Sequence, residues 1–288
     1  MLAAPVTRLK MAFKRPDAIY SSPCSSTMPS APVAAAINAP HPPAAGEGLL
    51  HSLFGRKVVR VQNKAIKSGS DVSPLEAETM KFIASNTTVP VPKVFDVYKS
   101  EDGIVSITME YIDGDNLEKI WKELSQEQKL AIAEQLRGFI CQLRELKGDY
   151  IGSINGGQAL DLRIQEIRGG PFTSEAEFNN FLLSGIFPRI PRIYRDIAQR
   201  SLQTDHDIVF THADLAPRNI MVKDGCIVAI IDWECAGWYP EYWEYLKAFH
   251  NVDMASDWVE FVPHIFPRAY EKELISDRFF APFSRHNY

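Results

Sequence analysis

His212, Asp214, Asn219 and Asp232 are the residues of this chain whose types and spacing could do chemistry together. Two carboxylates and an amide offer hard oxygen atoms. Such donors suit magnesium, which takes few protein groups and keeps waters and substrate phosphates around it. A carboxylate in the same set can also accept the proton of a hydroxyl. The intervening sequence could bring them together. Asn219-Ile220-Met221-Val222 is a short apolar run, Lys223-Asp224-Gly225 is a turn signal, and Cys226 to Ile231 is a second apolar, β-branched run. Two such runs around a turn ending in Gly read as a β-hairpin. With Val222 opposite Cys226, Asn219 lies near Ala229 at the open end of the hairpin. Asp232 is a little further out at that same end, and Asp214 enters from the loop before the first strand. The second run is apolar at nearly every position, so it reads as a strand buried on both faces.

The order His-x-Asp-x-x-x-x-Asn is that of a kinase catalytic loop, in which the Asp receives the substrate hydroxyl proton and the Asn holds a metal. Local hydrogen bonding in loops is the plainer reading of those residues. Asp232, at the end of the next strand, favours the kinase reading. The segment from Thr211 to His250 resembles the catalytic core of the aminoglycoside phosphotransferase and choline kinase superfamily. The run Asp-Trp-Glu-x-Ala-Gly-x-Tyr-Pro-Glu-Tyr-Trp-Glu, Asp232 to Glu244, is similar to that of a large group of fungal members. The resemblance implies Asp214 as catalytic base, Asn219 and Asp232 as magnesium ligands, and His212 as the loop histidine that positions them. It also implies an α+β, two-lobed protein-kinase-like fold, with a small β-rich N-lobe over 48–113 and a larger, mainly helical C-lobe over 114–288.

The N-terminal elements fit such a frame. Lys57 to Gln62 alternates apolar and polar, Asn63-Lys64 is a turn candidate, and Ala65-Ile66-Lys67 reads as the returning strand. Ser73-Pro74-Leu75-Glu76 is a capping-box signature opening a helix to about Ser85. The resemblance gives Lys67 the α- and β-phosphates of the nucleotide and pairs it with a helix glutamate. Glu76 is the first candidate for that pairing and Glu78 the second, although capping competes for the Glu76 side chain. Ile104 to Tyr111 reads as a strand, and the resemblance makes its end an interlobe hinge. There the backbone of Glu110 and Ile112 would bond the adenine edge. Backbone recognition leaves GTP open beside ATP. A glycine-rich phosphate loop is missing, with only Gly55 before the first strand pair. Asp232-Trp233-Glu234 stands in place of Asp-Phe-Gly, and Ala-Pro-Glu is absent, which argues against a protein kinase.

In the C-terminal half, Ser125 to Gln128 opens a helix. Its stripe of Leu130, Ile132, Ala133, Leu136, Phe139, Ile140 and Leu143 reads as core. Further helices are expected around 174–183 and 193–202. From Asp232 to Glu260 stand seven acidic residues, Asp232, Glu234, Glu241, Glu244, Asp253, Asp257 and Glu260, against Lys247. An acidic cleft would draw a cationic acceptor, and Trp233, Trp238, Tyr239, Tyr242, Trp243 and Trp258 could add cation–π contacts. Most of the run reads instead as a solvated face and packed aromatic core, with Glu241 and Glu244 either exceptions or fold-stabilising partners.

The 288 residues carry a formal charge of −5 and 45% hydrophobic residues, an ordinary globular balance that disfavours nucleic acid as partner. No apolar run is long enough to span a membrane. Four cysteines without metal-site spacing read as reduced thiols in a cytoplasmic protein. Residues 1–47 hold 8 of the 19 prolines and read as a disordered tail. Its first 16 residues are basic and acid-free, so an organellar signal is the lesser alternative. The function expected is ATP- and magnesium-dependent phosphorylation of a small-molecule hydroxyl, with nucleotide and acceptor as partners. A catalytically silent nucleotide-binding protein of the same fold is the alternative. Oligomeric state is not legible.

Overall fold

Valines 58, 59 and 61 lie on a strand because β-branched side chains pack well on a pleated surface. In the computed structural model, which describes residues 48–53, 55–161, 167–184, 190–250 and 257–284, that strand is the second of five. β1 (Gly48–Leu53), β2 (Arg56–Val61), β3 (Lys64–Gly69), β4 (Val94–Lys99) and β5 (Val105–Glu110) form an antiparallel sheet of order β1-β2-β3-β5-β4. The turn between β2 and β3 is Gln62-Asn63, one residue earlier than expected. Gln62 takes the left-handed conformation (φ 57°) and Lys64 begins the returning strand. The expected tail over 1–47, and Asp253, lie outside the described residues.

Helix α1 (Pro74–Asn86) packs its buried Ala77, Met80 and Ile83 against β4 and β5. Ser73 caps it, accepting from the Leu75 N–H at 3.2 Å. Glu76 does not fold back to complete a capping box. It is buried beneath the sheet, and α1 also packs against the Trp233–Cys235 turn.

Beyond the sheet come β6 (Asp115–Asn116), α2 (Leu117–Ile120) and the long α3 (Gln126–Glu145), opened by a Ser125/Gln128 capping box. β7 (Ala159–Asp161) and β8 (Ile167–Gly169) form a small ribbon. The helices α4 (Glu175–Ser184) and α5 (Arg192–Ser201) agree with their expected positions to within a residue or two. The remaining elements are β9 (Ile208–Thr211), β10 (Ile220–Lys223), β11 (Cys226–Ile230), β12 (Gly237–Pro240), α6 (Trp243–Ala248), α7 (Trp258–Ile265) and α8 (Glu271–Ser284). Five residues of the expected stripe of α3, Ile132, Ala133, Leu136, Ile140 and Leu143, are buried. Leu130 is exposed, Phe139 half-buried, and Lys129 is inside, its ammonium 2.9 Å from Asp257 and over the Trp121 ring. A lysine can bury its methylenes where a carboxylate meets its head. Among the described residues, no helix is long and apolar enough to cross a membrane.

Candidate active site

β10 and β11 form the expected hairpin with a different register. Asp224 and Gly225 both adopt positive φ (52° and 76°), the signature of a two-residue turn matched to strand twist. Lys223 therefore faces Cys226 and Val222 faces Ile227. After an irregularity between Met221 and Val222, Ile220 faces Ile230. The expected pairing of Val222 with Cys226 is off by one, and Asn219 stands opposite Ile231 rather than Ala229. The Ile231 N–H donates to the Asn219 carbonyl at 2.9 Å, so Asn219 is bonded to the residue next to Asp232. The second strand is not buried throughout: Cys226 is exposed and Val228 half-buried.

The loop carrying Asp214 is held from beneath. Glu244, at the start of α6, is buried and accepts the N–H groups of His212 (2.6 Å) and Ala213 (3.2 Å). That grip holds Ala213 at φ 63°, a conformation costly for a residue with a Cβ. Burial raises the Glu244 carboxyl above its ordinary range against the pull of His212 and these main-chain donors. His212 is fully buried. Its Nδ1 accepts from the Asp214 N–H (3.2 Å), which makes Nε2 the protonated nitrogen, donating to the Ile231 carbonyl at 3.0 Å. His212 thus ties the Asp214 main chain to the Ile231 carbonyl at the hairpin mouth. Asn219 Nδ2 donates to both the carbonyl and Oδ2 of Asp214, each at 2.9 Å. With its N–H groups so directed, the Asn219 amide oxygen is the atom it has to offer a cation. Arg218, which the sequence reading passed over, donates to Asp214 Oδ1 at 2.5 Å. Its spacing of four residues from Asp214 was the available signal.

The second half of the site is a cluster of charges. Lys67, buried on β3, lies 2.7 Å from Asp232, 2.8 Å from Glu76 and 3.7 Å from Glu234. Oxygens of the three carboxylates all lie within 4.8 Å of one another. Burial works against the charge on Lys67, yet these acids hold its ammonium above the ordinary value. Glu76 is pushed up to about 7 by its complete burial, which outweighs the attraction of Lys67. For Asp232 burial pulls upward, but Lys67 keeps it below the usual carboxylate range. Asp232 itself sits at φ 67°, tolerated because a short polar side chain can occupy that region. Above the cluster, Arg56 at the start of β2 reaches Glu234. Glu78 does not join: it accepts from Asn155 at 2.7 Å.

The remaining expected positions divide. The Glu110 N–H donates to the Lys93 carbonyl at 2.8 Å, so that peptide can offer a ligand only its oxygen. Ile112 follows, half-buried, just beyond β5. Of the acidic run, Glu241 pairs with Arg268 (3.0 Å) and Asp257 with Lys129 and the Trp121 indole. Trp233, Tyr239, Tyr242, Trp243 and Trp258 are buried, and Trp238 is half-buried. The five buried rings pack the core, whereas Trp238 lines an open surface pocket with Phe82, Ile154 and Asn155.

Solved structures of low sequence identity share this fold. A streptomycin–ATP ternary complex of APH(2")-IIa superposes with a TM-score of 0.56 at 15% identity, covering 82% of this chain and 81% of that one. The GDP complex of wild-type aminoglycoside 2'-phosphotransferase-IIIa gives 0.58 at 15% identity, over 83% of each chain. Aminoglycoside phosphotransferase APH(4)-Ia gives 0.56 at 12% identity, again over 83% of each. No curated protein matches this chain in sequence. With the sheet, the HxDxxxxN loop and the Asp232 hairpin in place, and with residues 51–278 matching the model of the phosphotransferase enzyme family, this chain belongs to that family.

Proposed function

We propose that this protein transfers the γ-phosphoryl group of ATP to a hydroxyl of a small molecule. One observation carries the reading: Asp214 is held by Asn219 at the mouth of a hairpin whose other lip presents Asp232 to Lys67. Asp214 would orient the acceptor hydroxyl and take its proton. Lys67, steadied by Glu76, would face the α- and β-phosphates. The Glu110 carbonyl and Ile112 N–H would read the adenine edge, a recognition that GTP could also satisfy in part. The donor set fits magnesium, since hard oxygens of Asp232 and Asn219 stand on neighbouring main chain. The ion would supply charge neutralisation for the phosphates. His212 and Glu244 act through Asp214 by fixing its loop.

The relatives' names support a hydroxylated small molecule as acceptor: streptomycin occurs in the APH(2")-IIa complex already described and kanamycin in a further complex. The motive for a cationic acceptor weakens, because Glu241, Glu244 and Asp257 are engaged within the fold. Free Cys141, Cys226 and Cys235 support a reducing compartment, and the cytoplasm is the location we propose.

Thermal-shift titration with ATP, with and without magnesium, followed by ADP release over a panel of hydroxylated metabolites, tests the reading. Asp214→Ala is expected to lower turnover by about 10²–10⁴-fold while leaving nucleotide binding intact. Turnover that survives the substitution sinks the base. Absence of magnesium-dependent nucleotide binding sinks the whole reading, and binding without any turnover by the unaltered protein leaves the silent alternative.

A further inference from the structure

The turn between β1 and β2 offers one glycine, Gly55, rather than a glycine-rich phosphate loop. Beside it stands Arg56. Gly55 precedes Arg56 at φ 78°, a conformation that favours glycine. Gly69, at the end of β3, stands opposite Arg56 in register. A Cβ on Gly69 would lie 2.6 Å from the Gly55 carbonyl oxygen and 3.1 Å from the Arg56 Cα. Two glycines therefore let the strand ends close up around Arg56 beside the Lys67 cluster. Its Nη1 straddles the carboxylate of Glu234, 2.6 Å from Oε1 and 2.5 Å from Oε2. This is not the parallel fork of a guanidinium spending two nitrogens on one acid, and the side chain remains 28% exposed. Glu234 in turn lies 3.7 Å from Lys67. One carboxylate thus stands between two cations, both beside Asp232.

We propose that Arg56 is a phosphate-binding residue, held in place by Glu234 until a nucleotide takes its guanidinium. The inference rests on the nucleotide-cleft reading and deepens it. Two cations face three carboxylates, Glu76, Asp232 and Glu234. A triphosphate entering beside Lys67 offers Arg56 an acceptor of higher charge than Glu234. Guanidinium geometry suits phosphate oxygens, and one nitrogen is all that Glu234 engages. Glu234 is then released beside Asp232, where added cationic charge is favoured.

Calorimetric titration of the full chain with ATP, ADP and adenosine, in magnesium, decides the matter. Arg56→Ala is expected to weaken ATP and ADP by about tenfold or more and adenosine by less than about twofold. Arg56→Lys should recover part of the loss, and it replaces the alanine variant if that fails to fold. Equal weakening of all three ligands would make Arg56 structural and overturn the proposal. Tighter ATP binding by Arg56→Ala would make the pair a closing clasp and overturn it too. If the unaltered protein binds neither ATP nor ADP, the cleft reading itself falls, an outcome distinct from both.

Discussion

Glu244 and Asp232 belong to one acidic run and have opposite fates. Glu244 is buried and spent on the main chain, accepting the N–H groups of His212 and Ala213. Asp232 has a side chain 36% exposed and shares one lysine with two other carboxylates. A carboxylate answered by backbone donors holds a shape, because those donors cannot leave without unfolding the loop. A carboxylate sharing an undersupplied cation holds an affinity, because like charges at close range favour any further positive charge. The proposed catalytic loop is thus fixed from beneath by Glu244, while the neighbouring carboxylates favour added positive charge.

The contrast is open to direct attack. Asp232→Ala should give the largest effect: loss of magnesium-dependent nucleotide stabilisation and at least about 10²-fold in turnover. Its melting temperature should fall only modestly, since Lys67 keeps Glu76 and Glu234 as partners and the remaining loss is one ion pair plus the strain of alanine at φ 67°. A melting loss as large as that of a Glu244 variant would erase the distinction. Glu244→Ala comes next. It strands two buried N–H groups and should cost about 2–4 kcal/mol by urea denaturation. Glu244→Gln, which keeps an acceptor oxygen, should retain most of that stability. An alanine variant as stable as the parent would mean the loop holds itself.

A smaller effect sharpens the same point at a distance. His206 Nδ1 sits 2.8 Å from Glu175 and its Nε2 3.5 Å from Glu273. Burial lowers its pKa, but these carboxylates raise it above the ordinary 6.5. The folded state therefore binds the proton more tightly than the unfolded chain. The contribution is fully present below the unfolded value and is lost as pH rises through the raised one. Melting temperature should fall over that interval, and His206→Gln should flatten the slope. An unchanged slope would show that His206 does not carry it.

The sequence made legible what is local. Asp214 and Asn219 lie within one loop, and their joint hydrogen bonds follow from that spacing. The strand that carries Lys67 and the Ser73 cap are likewise readable from alternation and capping chemistry, while the pairing of Lys67 with Glu76 comes from the family resemblance. The hairpin register was not, because Lys223-Asp224-Gly225 fits a turn of two or three residues until the pairing partners are known. The inward stripe of α3 is legible at Ile132, Ala133, Leu136, Ile140 and Leu143, but Lys129 joins the core only through Asp257, far along the chain. Arg56 and Glu234 were illegible together: 178 positions separate them, and no periodicity spans such a distance.

The Ile231 peptide is clamped from both sides, its N–H by Asn219 and its carbonyl by His212. Only its main chain is used, while its side chain stays half-buried. Inheritance can therefore drift at position 231 among residues of similar size with little penalty. It cannot add or drop a residue between 220 and 231 without pulling Asp232 out of phase with Asp214. Across descendants of this chain, that stretch should vary in letters and never in length.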